Sequence, residues 1–381
     1  MEKIGICTYY NNYNYGSYLQ SYALLKTIEK LGYEAYLIDF NDLSKEWNRL
    51  LHKRTIISRL KCLLINPQLL FSTFRARKIK QEQTVCSEEQ SQKFDRFAKE
   101  NLRFFRDDYT LAEFKAFIVG SDQVWKLSLP GLHYVFFLRF TSKSKRISYA
   151  ASIGTDEIPS FNRRLLRKYL NGFNSISVRE VKSVKLLTEL DSNLVIQNVL
   201  DPVLLAGKEF WKNDIPKLNI SGYILLYFLD SFDNNIDQVN DIISQYPNSQ
   251  ILLVNTGITT PYIHDCQIIN PSPLEFVSLI VNSKAILTDS FHGTAFSILF
   301  SKEFYTFPRC YKIYSGQQDR LASILGMFSC SDRYMERCTV LSDIKPLDEV
   351  KIQLVLERER NQSWDYLINA IGKTNQQTPY V

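Results

Sequence analysis

Short apolar runs bounded by polar turns alternate along this chain with segments whose apolar residues recur every three or four positions. Residues 3–9 (KIGICTY) read as a buried strand. A polar loop from Asn11 to Tyr15 follows. Gly16 then opens a segment with Leu19, Ala23, Ile28 and Leu31 at helical spacing, which Gly32 stops. Residues 34–40 (EAYLIDF) return to strand. This β-loop-α-β unit favours a parallel sheet. Further strands are predicted at 116–120, 147–152, 175–179 and 195–200, the last ended by Pro202. Residues 201–221 read as a crossing segment. A second run follows, with strands at 223–229, 251–255 and 285–288, and helices near 234–246, 273–283 and from Gly293 to about Phe300. Residues 346–372 read as a terminal amphipathic helix, with a frayed tail.

The pattern predicts an α/β protein of two Rossmann-like, doubly wound domains facing a cleft. The expected division is 1–205, carrying an insertion at about 44–105, then 206–345, then a C-terminal helix and tail at 346–381. In such sheets, ligands lie beyond the carboxyl ends of the strands.

Composition agrees with a folded protein. The chain has 381 residues, 45% hydrophobic and 23% charged, which leaves no room for a disordered, collagen-like or coiled-coil reading. No run approaches the length of a membrane-spanning helix, and the N-terminus lacks a signal-peptide core. The expected location is the cytoplasm. Seven cysteines form no CxxC or Cys/His cluster, so they are expected to be reduced and no metal site is expected.

Charge is uneven. The formal net charge is +6, but residues 45–80 hold ten Lys/Arg and one acid, leaving 36 basic and 39 acidic groups elsewhere. This segment interleaves its cations with Leu50, Leu51, Ile56, Ile57, Leu60, Leu63, Leu64 and further apolar residues. Such a stretch suits an anionic membrane surface. Its alternative is a helical insertion packed on its own domain with solvated cations. No nucleic-acid reader motif accompanies it, so no nucleic-acid partner is expected.

P-loop, GxGxxG, HExxH and GxSxG patterns are all missing. The candidate chemistry sits instead at strand ends. In 285–300 (AILTDSFHGTAFSILF) a strand runs into Thr288, Asp289 and Ser290, and His292 and Gly293 open an apolar helix. Free amides at a helix start attract anions, and a histidine beside them can act as acid or base. The alternative is that Asp289 or Ser290 simply caps the helix. Arg179 directly follows a strand and can reach an anion or pair with Glu180. Gly120, Ser121, Asp122 and Gln123 form a small polar loop after another strand. Asn14, Tyr15 and Gly16 form the loop after the first.

These stretches resemble the polysaccharide pyruvyl transferase family. The likeness rests on NYNYGSYLQSYALLKTIEKLGYEAYLIDF (12–40), FIVGSDQVW (117–125), ISYAASIG (147–154), ISVRE (176–180), VLDPVLL (199–205) and ILTDSFHGTAFSILF (286–300), in the family's order. It implies a two-domain fold similar to GT-B glycosyltransferases. It also implies transfer of a pyruvyl group from phosphoenolpyruvate to a sugar of a surface-polysaccharide precursor, forming a ketal. Arg179 would match a donor-binding arginine, and His292 the histidine beside the donor. The family often has an arginine two residues before that histidine; this chain has Ser290.

On that reading His292, Asp122 and Asp289 are the catalytic candidates. Arg179, Ser290, Gly293, Thr294 and Arg320 are the donor-binding ones, with Arg309 and Lys312 also able to replace the missing cation. Asn14, Tyr15, Gly16, Gly120, Ser121 and Gln123 would face the acceptor or line the cleft. Phosphoenolpyruvate carries close to three negative charges, which a site must offset with cations and aligned N–H groups. No cofactor is expected. The expected partners are phosphoenolpyruvate, a saccharide acceptor that is lipid-linked or free, and an anionic membrane surface met through residues 45–80. The alternative is a GT-B-type glycosyltransferase using a nucleotide sugar.

Overall fold

The computed structural model describes residues 1–10, 13–39, 56–57, 60, 64, 87–105, 111–127, 131–309, 318–336 and 338–375. The expectations for Lys312, for most of the 45–80 segment and for the extreme C-terminal tail lie outside these residues.

The first half is a parallel sheet. Strands β1 (Lys3–Cys7), β2 (Glu34–Leu37), β3 (Phe114–Val119) and β4 (Arg146–Ser148) stand in the order β2-β1-β3-β4. All neighbours are parallel, with Lys3 opposite Glu34 and Cys7 opposite Val119. β5 (Ile176–Val178) and β6 (Ile196–Asn198) extend this layer through bridges between Ile147 and Ser175 and between Ala151 and Val178. β1 and β3 are almost wholly buried. That burial accounts for their continuous apolar runs, which alternation would have broken on a one-sided sheet. β6 is only partly buried, as its place at the edge dictates.

The second sheet comprises β7 (Tyr223–Tyr227), β8 (Gln250–Val254), β9 (Cys266–Ile269), β10 (Ala285–Thr288) and β11 (Glu303–Thr306), in the order β11-β10-β7-β8-β9 and again all parallel. Each sheet is thus fed by crossover helices, and both point their strand ends toward the same region. The α/β reading with two parallel sheets holds. β9 and the helix Glu88–Asn101 are additions that the hydrophobic pattern did not mark.

Three helices position the site. α1 (Tyr15–Lys30) follows β1 and begins at the N-cap Asn14, whose Oδ1 accepts from the Ser17 amide at 3.2 Å. α2 (Glu88–Asn101) lies across the two halves. Gln90 Nε2 donates to Tyr15 Oη at 3.1 Å and to the Asn255 carbonyl at 2.6 Å, and Lys93 donates to the Asn270 carbonyl. The helix α3 (Phe291–Leu299) follows β10 and is buried along its whole length. The terminal helix Glu349–Gly372 returns to the first half, where Tyr366 donates to the Ser148 carbonyl and Ser363 Oγ accepts from the Leu200 amide.

Candidate active site between the two sheets

The chain after β3 stays close against its neighbour at Tyr149–Ala151. Gly120 has φ +116, and a Cβ there would stand 2.0 Å from the Tyr149 carbonyl oxygen. Only glycine fits, and it lets the chain run on through Ser121 to Asp122, which bridges Ala151. Ser121 is fully buried. Its Oγ lies 2.8 Å from Asp201 Oδ2, its amide donates to Gln20 Oε1, and its carbonyl accepts from Thr8.

Asp201 stands where the chain leaves β6 and caps the short helix Pro202–Ala206, its Oδ1 accepting from the Val203 amide at 3.1 Å. Its other oxygen is the centre of the cluster. Oδ2 accepts from Ser121 and from Arg179 Nη1 at 2.8 Å, and lies 3.8 Å from His292 Nε2. At that last distance the contact is electrostatic rather than a hydrogen bond. Burial works against the charge on Asp201, yet His292 and Arg179 hold its carboxyl well below the usual carboxylate range.

Arg179 follows β5 and is buried among three carboxylates. Besides Asp201, its Nε donates to Glu180 Oε1 at 3.3 Å, and its Nη2 lies 3.8 Å from Asp122 Oδ1. Burial disfavours its charge, but Glu180, Asp201 and Asp122 outweigh that and raise its pKa. The guanidinium carbon sits 4.0 Å from the centroid of Phe291, the first residue of α3. Nη2 has no hydrogen-bond partner among the described residues.

His292 comes from the second sheet, on the first turn of α3. Its Nε2 is buried without a hydrogen bond to a described residue, and its Nδ1 edge faces Gly16. A Cβ on Gly16 would stand 2.0 Å from Nδ1. The first turn of α1 therefore passes flush against the imidazole, and Ser17 Oγ in that turn reaches Asp122 Oδ2 at 3.3 Å.

A small, partly open pocket lies beside this cluster. Arg179, Asp201, Phe291 and Arg320 line it, with Ser323 and Met327 of the helix Gln318–Met327 on the far side. With its amide oxygen turned toward Arg320, Gln123 accepts from both terminal guanidinium nitrogens, at 2.7 and 3.0 Å.

The structure thus brings together His292, Arg179, Asp122, Ser121, Gly16, Gln123 and Arg320. Other expectations need correction. Asp289 does not face the cluster: its carboxylate accepts from the Leu229 and Asp230 amides at 2.8 and 3.0 Å and pairs with Arg309 at 3.2 Å. Burial pushes its pKa up, with Arg309 and the amides pulling the other way. Ser290 caps α3, accepting from the Gly293 amide at 3.4 Å, so that amide is not offered to an anion. Gly293 packs on Thr288, and Thr294 is buried against Thr306 with their hydroxyls 3.0 Å apart. Tyr15 is 1% exposed and stacks on Phe276, its hydroxyl donating to the Pro271 carbonyl; it joins the two halves and presents nothing to an acceptor. Asn14 is a helix cap.

Asp201 and Phe291 are members that the sequence reading did not select; Glu180 does pair with Arg179, as its alternative reading had it. The signal for Asp201 was the Asp-Pro pair after a strand, which reads as an ordinary helix start. It is one, through Oδ1; the work of Oδ2 leaves no local trace.

The sequence matches the family model described as polysaccharide pyruvyl transferase over residues 14–311. The chain belongs to the polysaccharide pyruvyl transferase family. The matched span contains Gly16, Asp122, Arg179, Asp201 and His292, whereas Arg320 lies beyond it. Among curated proteins, none matches the chain. Solved structures resemble this pyruvyl transferase family member at low identity. The UDP-GlcNAc 2-epimerase of Methanocaldococcus jannaschii, in complex with UDP-GlcNAc and UDP, is 13% identical with a TM-score of 0.46, over 97% of this chain and 99% of that one. A UDP-glucosyltransferase from Polygonum tinctorium is 11% identical with a TM-score of 0.40, over 99% of each chain.

Proposed function

We propose that this protein moves the pyruvyl group of phosphoenolpyruvate onto a sugar of a surface-polysaccharide precursor and leaves it as a pyruvate ketal. One observation carries the reading, within a chain of this family. Arg179 and Arg320 line one pocket from opposite halves, and His292 meets Asp201 at its edge. A small dianionic or trianionic substrate suits two buried guanidiniums better than a neutral sugar does.

The residues divide the work as follows. Three carboxylates already surround Arg179, so it acts chiefly as a fixed, oriented donor through Nη2. Arg320, held by the neutral amide of Gln123, brings the second cation. It takes the place of the arginine missing at Ser290.

Ketal formation adds two sugar hydroxyls to C2 of the enol phosphate while phosphate departs. Of the two hydroxyl protons released, one is matched by the proton that C3 gains and the other leaves with phosphate. His292 delivers the C3 proton from Nε2, the nitrogen with no hydrogen bond to a described residue. Asp122, partly open to the cleft, takes a hydroxyl proton. Asp289 is assigned a supporting role, fixing the loop after β7.

Replacing His292 by Ala should lower turnover by at least about a hundredfold with the fold intact, the size expected for a lost acid–base group. Near-wild-type turnover in that variant would remove the assignment.

Membrane contact through the basic segment belongs to the same proposal. Ile56, Ile57, Leu60 and Leu64 are helical and exposed, Leu64 to 79%. Positions 56, 60 and 64 recur every four residues, with Ile57 three before Leu60, which suits one apolar helix face in a cation-rich sequence. Among the described residues no helix is long and apolar enough to cross a membrane. Anionic vesicles should capture the protein in a salt-sensitive manner, and deletion of residues 45–80 should abolish capture. Undiminished capture by the deletion variant would rule the segment out.

A further inference from the structure

At the other end of the first sheet, away from the cleft, two arginines converge on Gly172. Arg146 is the first residue of β4, and Arg139 lies in the turn before it. Their Nη1 atoms lie 2.9 and 2.6 Å from the point where a Cβ on Gly172 would stand, so the two nitrogens are at most about 5.5 Å apart. Two oxygens of one phosphate group can span such a gap with charge-assisted hydrogen bonds.

Neither arginine pairs with a carboxylate among the described residues. Arg146 is 7% exposed and donates to the carbonyls of Gly172 and Thr141, which carry only partial charge. Arg139 stacks on Tyr169 and donates no side-chain hydrogen bond to a described residue. Arg139 Nε and Arg146 Nε are both buried without a hydrogen bond to a described residue. The same holds for Asn174 Nδ2, whose own amide donates to the Arg146 carbonyl. Burial, then the neighbouring Arg139, pushes Arg146 down to about 10, so it stays charged at neutral pH. Like charges this close, with idle donors around them, call for an oxyanion.

We infer that Arg139 and Arg146, set against Gly172, form a second anion site that takes a phosphate-type oxyanion and is separate from the cleft. Glycine at 172 is part of it, because any side chain would displace both guanidiniums. The ligand is either a soluble phosphate ester or the phosphate of a lipid headgroup.

The test is thermal unfolding of the full chain with increasing inorganic phosphate at constant ionic strength, followed for wild type, Arg139→Gln and Arg320→Gln. Arg139 is the residue to change because its side chain makes no hydrogen bond to another described residue. Wild type should show a saturable rise in the unfolding midpoint. Arg139→Gln should weaken the apparent affinity at least about tenfold, or about 1.4 kcal/mol. Arg320→Gln, which alters only the cleft, should keep the response. No response in wild type, an unchanged response in Arg139→Gln, or a response lost only in Arg320→Gln would each overturn the site. Vesicles containing phosphatidic acid then distinguish the sources. Competition with phosphate in wild type but not in Arg139→Gln marks a lipid headgroup, and absence of competition marks a soluble ester.

Discussion

Asp201 shows how much one buried carboxylate can organise. It is fully buried, caps a helix with one oxygen, and with the other holds Ser121, Arg179 and the approach of His292. Removing one partner of a buried ion pair leaves the other charge uncompensated and costs about 3–5 kcal/mol. Asp201→Asn should therefore lose about 3 kcal/mol of stability in urea unfolding at neutral pH. The sign of the pH dependence follows from its lowered pKa. Its contribution is complete above the unfolded carboxylate pKa of about 4 and fades as pH falls toward the lower folded value. The stability gap between wild type and Asp201→Asn should hold from neutral pH to about 5 and narrow below about 4. A gap that widens in acid would show that Asp201 is not held as an anion.

The meeting of α1 and α3 explains why the site was partly legible. The strand–loop–helix pattern at 3–31 and the SFHG turn after β10 are both strong local signals, and both elements lie where that pattern placed them. What spacing could not convey is that the two helix starts face each other. Gly16 carried only the general meaning of a permissive residue; in the fold it is the surface on which His292 rests. The expected anion site at Gly293 and Thr294 failed for a local reason. Ser290 caps the first, and Thr306, a partner sixteen residues from Ser290 in sequence, occupies the second. Gly16→Ala tests the contact. Alanine favours a helix more than glycine does, so α1 should tolerate it. The added methyl must move the imidazole, and turnover should fall at least about tenfold while stability changes by no more than about 1–3 kcal/mol. Unchanged turnover would mean that the position of His292 against α1 does not matter to the reaction.

The two sheets work as one site because each contributes what the other lacks. The first supplies Arg179, Asp122 and Asp201; the second supplies His292, Phe291 and, through its later helix, Arg320. α2 ties them through Gln90, which bonds Tyr15 of the first half and Asn255 of the second. No sequence pattern exposes such a tie, since a glutamine on a polar helix ordinarily faces water; here it is 2% exposed. The proposed reaction depends on this convergence of cations from both halves on one donor. Calorimetric titration of phosphoenolpyruvate into wild type and Arg320→Gln, each repeated with UDP present, tests it directly. The account predicts saturable binding to wild type that UDP leaves untouched, and affinity at least about tenfold weaker in Arg320→Gln, about 1.4 kcal/mol. Binding of UDP with no heat from phosphoenolpyruvate, or equal affinity in the two proteins, would contradict it.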